Sequence, residues 1–163
     1  MGEMRAGVLT ISDRVSRGEA EDVSGPTAIA ILAGLGFEVD WQVVPDEKAD
    51  IQTAIRGWIN DGLELVVTTG GTGFGRRDIT PEATSELIDR PAPGLIEAAR
   101  VASLAKSPNA MLSRGVAGIA GTTLCINLPG STGGVEDWLE VMRPSLVHAV
   151  ALLRDEKTSH TGH

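Results

Sequence analysis

Short apolar runs separated by polar turns set the rhythm of the chain, and most of them divide cleanly into strands and helices. Ala6-Gly7-Val8-Leu9-Thr10-Ile11, within 5–12, predicts a first buried strand, with Ser12-Asp13-Arg14 at its C-terminal end. A polar loop through Glu19, Glu21 and Asp22 follows. Ser24-Gly25-Pro26 then opens a helix carrying Ile29, Ile31, Leu32 and Leu35, which Gly36 ends. Phe37 to Val44 partly alternates and predicts a second strand, stopped by Pro45-Asp46-Glu47. Ile51, Ala54, Ile55, Trp58 and Ile59 fall on one helical face, ended by Asp61-Gly62. Leu65-Val66-Val67-Thr68-Thr69, apolar and β-branched, predicts a buried parallel strand.

Beyond that strand, Thr80 opens a helix expected to carry Ala83, Leu87 and Ile88, broken by Pro91-Ala92-Pro93-Gly94. A further helix runs through Leu95, Ile96, Ala99, Val101 and Ala102, and Ser107-Pro108-Asn109 marks a turn. Val116–Ile119 and Thr123–Leu128 are joined so briefly that they predict an antiparallel hairpin. A final helix carries Leu139, Met142, Leu146, Val147 and Val150. These elements predict an α/β fold: a three-layer α/β/α sandwich with a mostly parallel sheet and one antiparallel edge strand. They fill a single domain over 1–156, with 157–163 expected as a disordered tail.

The stretch that changes this picture from fold to chemistry follows the third strand. Gly70, Gly71, Thr72, Gly73 and Gly75 leave little side chain between the strand and Arg76-Arg77-Asp78. Such a loop exposes its own N–H groups, and successive N–H groups pointing one way hold an anion. Thr80-Pro81-Glu82 has the marks of a helix start: a capping hydroxyl, proline in the first turn and a carboxylate beside the helix dipole. Together these read as a phosphate site with a metal ligand at its rim. The stretch is neither a P-loop, which needs Lys-Ser/Thr after the last glycine, nor a dinucleotide loop, since Arg76 stands at the third glycine position. A second strand–glycine–helix unit, Pro129-Gly130-Ser131-Thr132-Gly133-Gly134, follows the hairpin.

Composition narrows the partners. The 163 residues carry a net charge of −8, which argues against a nucleic-acid or anionic-membrane surface and confines phosphate binding to loops and helix ends. The single cysteine, Cys125, lies in an apolar run and reads as a small buried hydrophobe. No signal-peptide pattern and no membrane-length apolar run is present, so a cytoplasmic location is expected. His148, His160 and His163 form no cluster that would suggest zinc.

Six segments share a common order and spacing with one family: Ile11-Ser12-Asp13-Arg14, Pro45-Asp46-Glu47, Thr68–Gly73, Arg77–Ala83, Leu112-Ser113-Arg114-Gly115 and Asn127–Ser131. With them the chain resembles the molybdopterin adenylyltransferases of molybdenum cofactor biosynthesis, to which the gephyrin G domain is related, over roughly residues 5 to 153. The resemblance implies an enzyme that joins ATP and molybdopterin into adenylyl-molybdopterin and pyrophosphate with Mg2+. It further implies a homotrimer and hand-over of the product to a molybdate-inserting protein. By position it implies catalytic and metal-binding roles for Asp46 and Asp78. It places the nucleotide and its phosphates near Ser12, Asp13, Gly70, Gly71, Thr72, Gly73, Gly75, Thr80 and Glu82. Ser113, Arg114, Pro129, Gly130 and Ser131 fall where the family receives the pterin. Thr132 departs from the pattern, since many members have proline there.

Read without the family, Asp46 is equally a turn carboxylate after Pro45, Asp13 a surface partner for Arg14, and Asp78 a helix-start charge. Arg76 and Arg77 could neutralise phosphates or simply stand exposed. Two other functions fit the same residues: a scaffold that binds molybdopterin without turning over ATP, and a nucleotide-binding regulator that uses the glycine loop alone.

Overall fold

A computed structural model describes residues 2–161. Strands β1 (Met4–Ile11), β2 (Phe37–Val44), β3 (Leu65–Thr69), β4 (Arg90–Pro91), β5 (Ala117–Ala120) and β6 (Thr123–Leu128) form one sheet in the order β2-β1-β3-β6-β5-β4. β2, β1, β3 and β6 run parallel, and β5 pairs antiparallel with β6 as the short 120–123 connection predicts. The two-residue β4 is an addition to the expected pattern. It pairs antiparallel with β5 and forms the outermost strand.

Helices α1 (Asp13–Ser16), α2 (Ser24–Gly34), α3 (Lys48–Asn60), α4 (Thr80–Ser85), α5 (Pro93–Leu104) and α6 (Thr132–Thr161) complete the chain. One face of the sheet buries Ala28 and Leu32 of α2, Ile96 and Ala99 of α5 and Val135, Trp138 and Leu146 of α6. The other buries Ile51, Ile55 and Trp58 of α3 and Ala83 of α4. This is the predicted three-layer sandwich. Its apolar helix faces give the chain its two cores, since an amphipathic element is stable only when its apolar side is covered.

Three local differences have physical causes. The polar loop after β1 begins with one turn of helix, α1, because the Ser12 Oγ accepts a hydrogen bond from the Val15 N–H at 3.2 Å and caps it. Helix α4 stops at Ser85 rather than including Leu87 and Ile88, because Asp89 N donates to Ile119 O at 2.8 Å and draws the chain onto the sheet edge. Helix α6 continues through Pro144 to Thr161, past the boundary expected at 156. Arg154, Glu156 and Lys157 are good helix formers, and no glycine or proline falls among them. Gly162 and His163 lie outside the described residues. Among the described residues no helix is long and apolar enough to cross a membrane.

The connectivity dictates where a ligand can enter. β1 continues to β2 on one side through α2, and β2 returns through α3 on the opposite face to β3, on the other side of β1. The connections therefore diverge between β1 and β3. That leaves a crevice at the C-terminal ends of these strands, which is where open α/β sheets bind ligands.

Candidate active site

Ser12, Asp13, Asp46, the Gly70–Gly75 loop, Pro129, Gly130 and Ser131 all follow the C-terminal ends of β1, β2, β3 or β6, so parallel pairing brings these distant segments to one rim. Gly70 and Gly71 take φ of +93° and +70°, a region costly for any residue with a side chain. A Cβ on Gly71 would lie 2.3 Å from Thr80 Oγ1 and 3.1 Å from Asp46 Oδ1. The loop is thus pressed between the start of α4 and the end of β2. Thr80 fastens it: its N–H donates to Gly71 O at 3.1 Å and its hydroxyl to Gly70 O at 3.0 Å.

The three acids sit in different fields. Asp13 and Asp46 are linked reciprocally, each carboxylate accepting the other's backbone N–H, at 2.9 and 3.0 Å. Arg77 grips Asp13 with two nitrogens, at 2.7 and 3.1 Å, and reaches Asp46 O and Glu47 Oε1 at 3.1 and 2.8 Å. Arg77 and the Asp46 N–H hold the Asp13 carboxyl below its ordinary range. Asp46 is pushed the other way, by burial first and then by the neighbouring Asp13 and Asp78 charges, despite the hydrogen bond from Asp13. A half-buried carboxylate facing like charges is a place where a cation gains.

Asp78 corrects the simplest picture of the glycine loop. Its Oδ2 accepts from Gly73 N at 3.1 Å and from Gly75 N at 3.0 Å. Two of the amides expected to cradle phosphate are therefore turned to the protein's own carboxylate. The second glycine loop differs. Ser131 Oγ accepts from Gly134 N at 3.1 Å and caps α6, whose first-turn amides at Thr132 and Gly133 lack intrahelical acceptors and face the crevice end of β6. That loop is the better anion seat.

Arg114, which the family resemblance sets beside the pterin, braces the first loop. Its guanidinium donates to Gly73 O at 2.8 Å and Asp78 O at 3.0 Å and pairs with Glu82, while its N–H donates to Thr72 O at 2.8 Å. Burial raises the Glu82 carboxyl, but the Arg114 hydrogen bond and the first-turn amide outweigh it and leave it low. Ser113 is held through its carbonyl by Arg100 Nη2 at 2.9 Å. Cys125 is buried, its thiol pushed up to about 12 by burial, and takes no part.

Two cavities share Gly70 and Gly130 at this rim, and a third, about 330 Å³ and lined by Ser113, Pro129, Ser131 and Trp138, adjoins them. Of the first two, one of about 330 Å³ lies in the β1/β3 crevice and is lined by Thr10, Ser12, Asp22, Ser24, Thr69 and Ser131, among others. The other, about 470 Å³, is lined by the first glycine loop with Phe74, Asp78, Leu112 and Ser113. Gly70 and Gly130 line both. A Cβ on Gly130 would lie 3.2 Å from Gly70 Cα, so the partition between the cavities is bare backbone.

Several supporting residues escaped the sequence reading. Asp22 accepts from Thr10 Oγ1 at 2.6 Å, Ser24 Oγ at 3.3 Å and Gly25 N at 3.0 Å, closing the first cavity and capping α2. Asp22 preceding Ser-Gly-Pro was the available signal for that cap. Asn127, fully buried, donates to Thr68 and Thr84 at 3.0 Å each and accepts from Val116 N at 3.1 Å, tying β6 to β3 and α4 beneath the loop.

No group of three or more metal-binding side chains occurs among the described residues. What the rim offers is two carboxylates, Asp46 and Asp78, close enough to raise the first one's proton affinity. Magnesium suits such a donor set, since it takes one or two carboxylates and completes its shell with phosphate oxygens and water.

Residues 7–148 match a family described as the probable molybdopterin binding domain. The chain is 42% identical to gephyrin of Dictyostelium discoideum over 96% of its own length, although it spans only 23% of that protein. It is 39% identical to the molybdopterin adenylyltransferase of Helicobacter pylori strain J99, over 94% of this chain and 89% of that one. Among solved structures, the molybdopterin biosynthesis enzyme MoaB from Thermus thermophilus superposes with a TM-score of 0.87 at 49% identity, covering 92% of this chain and 96% of that one.

Proposed function

Because the chain belongs to the molybdopterin-binding domain family, we propose that it carries out the Mg-ATP-dependent adenylylation of molybdopterin in molybdenum cofactor biosynthesis. The observation that carries this reading is the convergence of Asp46, beside Gly71, and Asp78, bonded to Gly73 and Gly75, on a glycine loop whose first residue, Gly70, lines both cavities. A reaction joining two anionic substrates needs two seats that meet at one bond-forming point, with positive character concentrated there.

In this reaction a terminal phosphate oxygen of molybdopterin attacks the α-phosphorus of ATP. The new P–O bond forms as the bond from the α-phosphorus to the bridging oxygen breaks, and pyrophosphate departs with that electron pair. Asp46 and Asp78 would hold Mg2+, which when bound supplies charge neutralisation for the phosphates. The amides at the start of α6 bind a phosphate group, and Ser131 keeps them aligned. Arg77 and Arg114 act as positioning residues: one fixes Asp13 and Asp46, the other the glycine loop beneath Asp78. A homotrimer, a cytoplasmic setting and hand-over to a molybdate-inserting protein belong to the same reading. An activated phosphoanhydride is a product made to be consumed by a following step.

The test is incubation with molybdopterin, Mg2+ and ATP labelled at the α-phosphate. Label on the pterin together with released pyrophosphate is expected from the wild type. Asp78→Asn should keep the loop hydrogen bonds, since an amide oxygen still accepts, and should lower transfer by roughly a hundredfold or more. Pterin held by the folded protein while ATP stays intact would assign a binding role without turnover.

A further inference from the structure

Phe74 stands out as an apolar side chain with 70% of its surface exposed, at the tip of the glycine loop. Leu112, 46% exposed, lines the 470 Å³ cavity together with Phe74 and Asp78. Large apolar residues scattered singly over a surface need no explanation, but two that share one cavity with a carboxylate do. The loop is also not a slack one in which an aromatic ring is free to wander. Gly73 N and Gly75 N, on either side of Phe74, both donate to Asp78 Oδ2, and Gly73 O accepts from Arg114 Nε at 2.8 Å. The backbone that carries the ring is clamped on both flanks, while the neighbouring glycines leave its faces clear.

Building on the adenylyl-transfer reading, we infer that Phe74 is a specificity-determining residue whose ring packs on the flat heteroaromatic ring of one substrate in the 470 Å³ cavity. Leu112 and Pro129 add to the apolar lining. Asp78 is the one ionisable group in that lining and repels an anion, so a phosphate tail of the same ligand runs past Gly130 toward the amides at the start of α6. An apolar clamp continuous with an anion seat suits a ligand that is planar and aromatic at one end and anionic at the other. Adenine and the pterin nucleus share that chemistry, and either ring can occupy this cavity while Gly70 and Gly130, which line both, stand between it and the β1/β3 crevice. An offset aromatic contact contributes enough to alter affinity roughly tenfold.

The experiment measures binding of molybdopterin alone and of a non-hydrolysable ATP analogue alone to wild-type protein and to Phe74→Ala, Phe74→Leu and Phe74→Trp. Steady-state turnover is recorded alongside. The expected result is a loss of about tenfold in affinity for one of the two ligands in Phe74→Ala, a smaller loss in Phe74→Leu, and near-native affinity in Phe74→Trp. The KM for that substrate should rise while kcat changes little, and whichever ligand is affected identifies the occupant. Wild-type affinities for both ligands in Phe74→Ala, with transfer intact, would overturn the inference and leave the enzymatic reading standing. Equal losses for both ligands would also overturn it, since they would mark a disturbance of the whole loop. A wild-type protein that binds neither ligand would remove the inference together with its premise.

Discussion

Substituting Gly71 by alanine tests whether the loop geometry is as constrained as the distances imply. At φ +70° a side chain costs about 1–2 kcal/mol in backbone strain alone. The new Cβ would meet Thr80 Oγ1 at 2.3 Å and Thr80 Cβ at 3.3 Å, so the hydroxyl must turn away from Gly70 O. Thr80 is fully buried, and a buried hydroxyl without its acceptor costs roughly a further 1–3 kcal/mol. Gly71→Ala should therefore destabilise the protein by about 3 kcal/mol, read in urea as a shift of midpoint at constant slope, or as a fall of roughly 6–12 °C in Tm. Combining it with Thr80→Ala separates the two contributions. The double variant should cost less than the sum of the singles, because the atom that the new methyl strikes has gone. Strict additivity, or a loss under about 1 kcal/mol for Gly71→Ala, would refute the wedge between loop and helix.

Two further outcomes follow from the charges and the core. The ionised form of Asp46 is disfavoured in the folded state, so its charge lowers stability above its raised titration point and has no effect below the ordinary value of 3.8, where both states are protonated. In magnesium-free buffer, Asp46→Asn should thus be at least as stable as wild type at about pH 7, with the advantage fading as pH falls through the raised titration point toward the ordinary value of 3.8; a lower Tm at every pH would contradict this. Asn127→Ala removes two buried hydrogen bonds and a partly buried one, the last leaving Val116 N without its side-chain acceptor, which should cost about 2–4 kcal/mol in denaturant unfolding.

The strands and long helices could be read from the chain because their signals are local. Val66 to Thr69 are all β-branched, and Ile51, Ile55 and Trp58 repeat at the helical period, so both elements were legible from a short window. Leu87 and Ile88 misled for the same reason: their spacing suits a helix, yet pairing near Asp89 with β5, thirty residues away in sequence, drew the chain elsewhere. At the site, residue types and order marked the acids and glycines. Which group each arginine would hold was not legible, because Arg77 meets Asp13 across 64 positions and Arg114 meets Glu82 across 32. The diversion of two loop amides to Asp78 spans only three and five positions. Nothing in the residue types, however, says whether such amides face inward or outward.

The contact between Gly70 and Gly130 ties the fates of two turns that lie sixty residues apart. The dependence runs one way. A side chain at 130 would press on residue 70, whereas one at 70 would strike Ile11 O at 2.4 Å and would be strained at φ +93° besides. Residue 70 is thus held by the end of β1 whatever happens at 130, while 130 is held through 70. In a lineage that gave up the joint use of both cavities, position 130 would be released first while 70 kept its glycine for the turn, and the order of loss would serve as a heritable trace of abandoned chemistry.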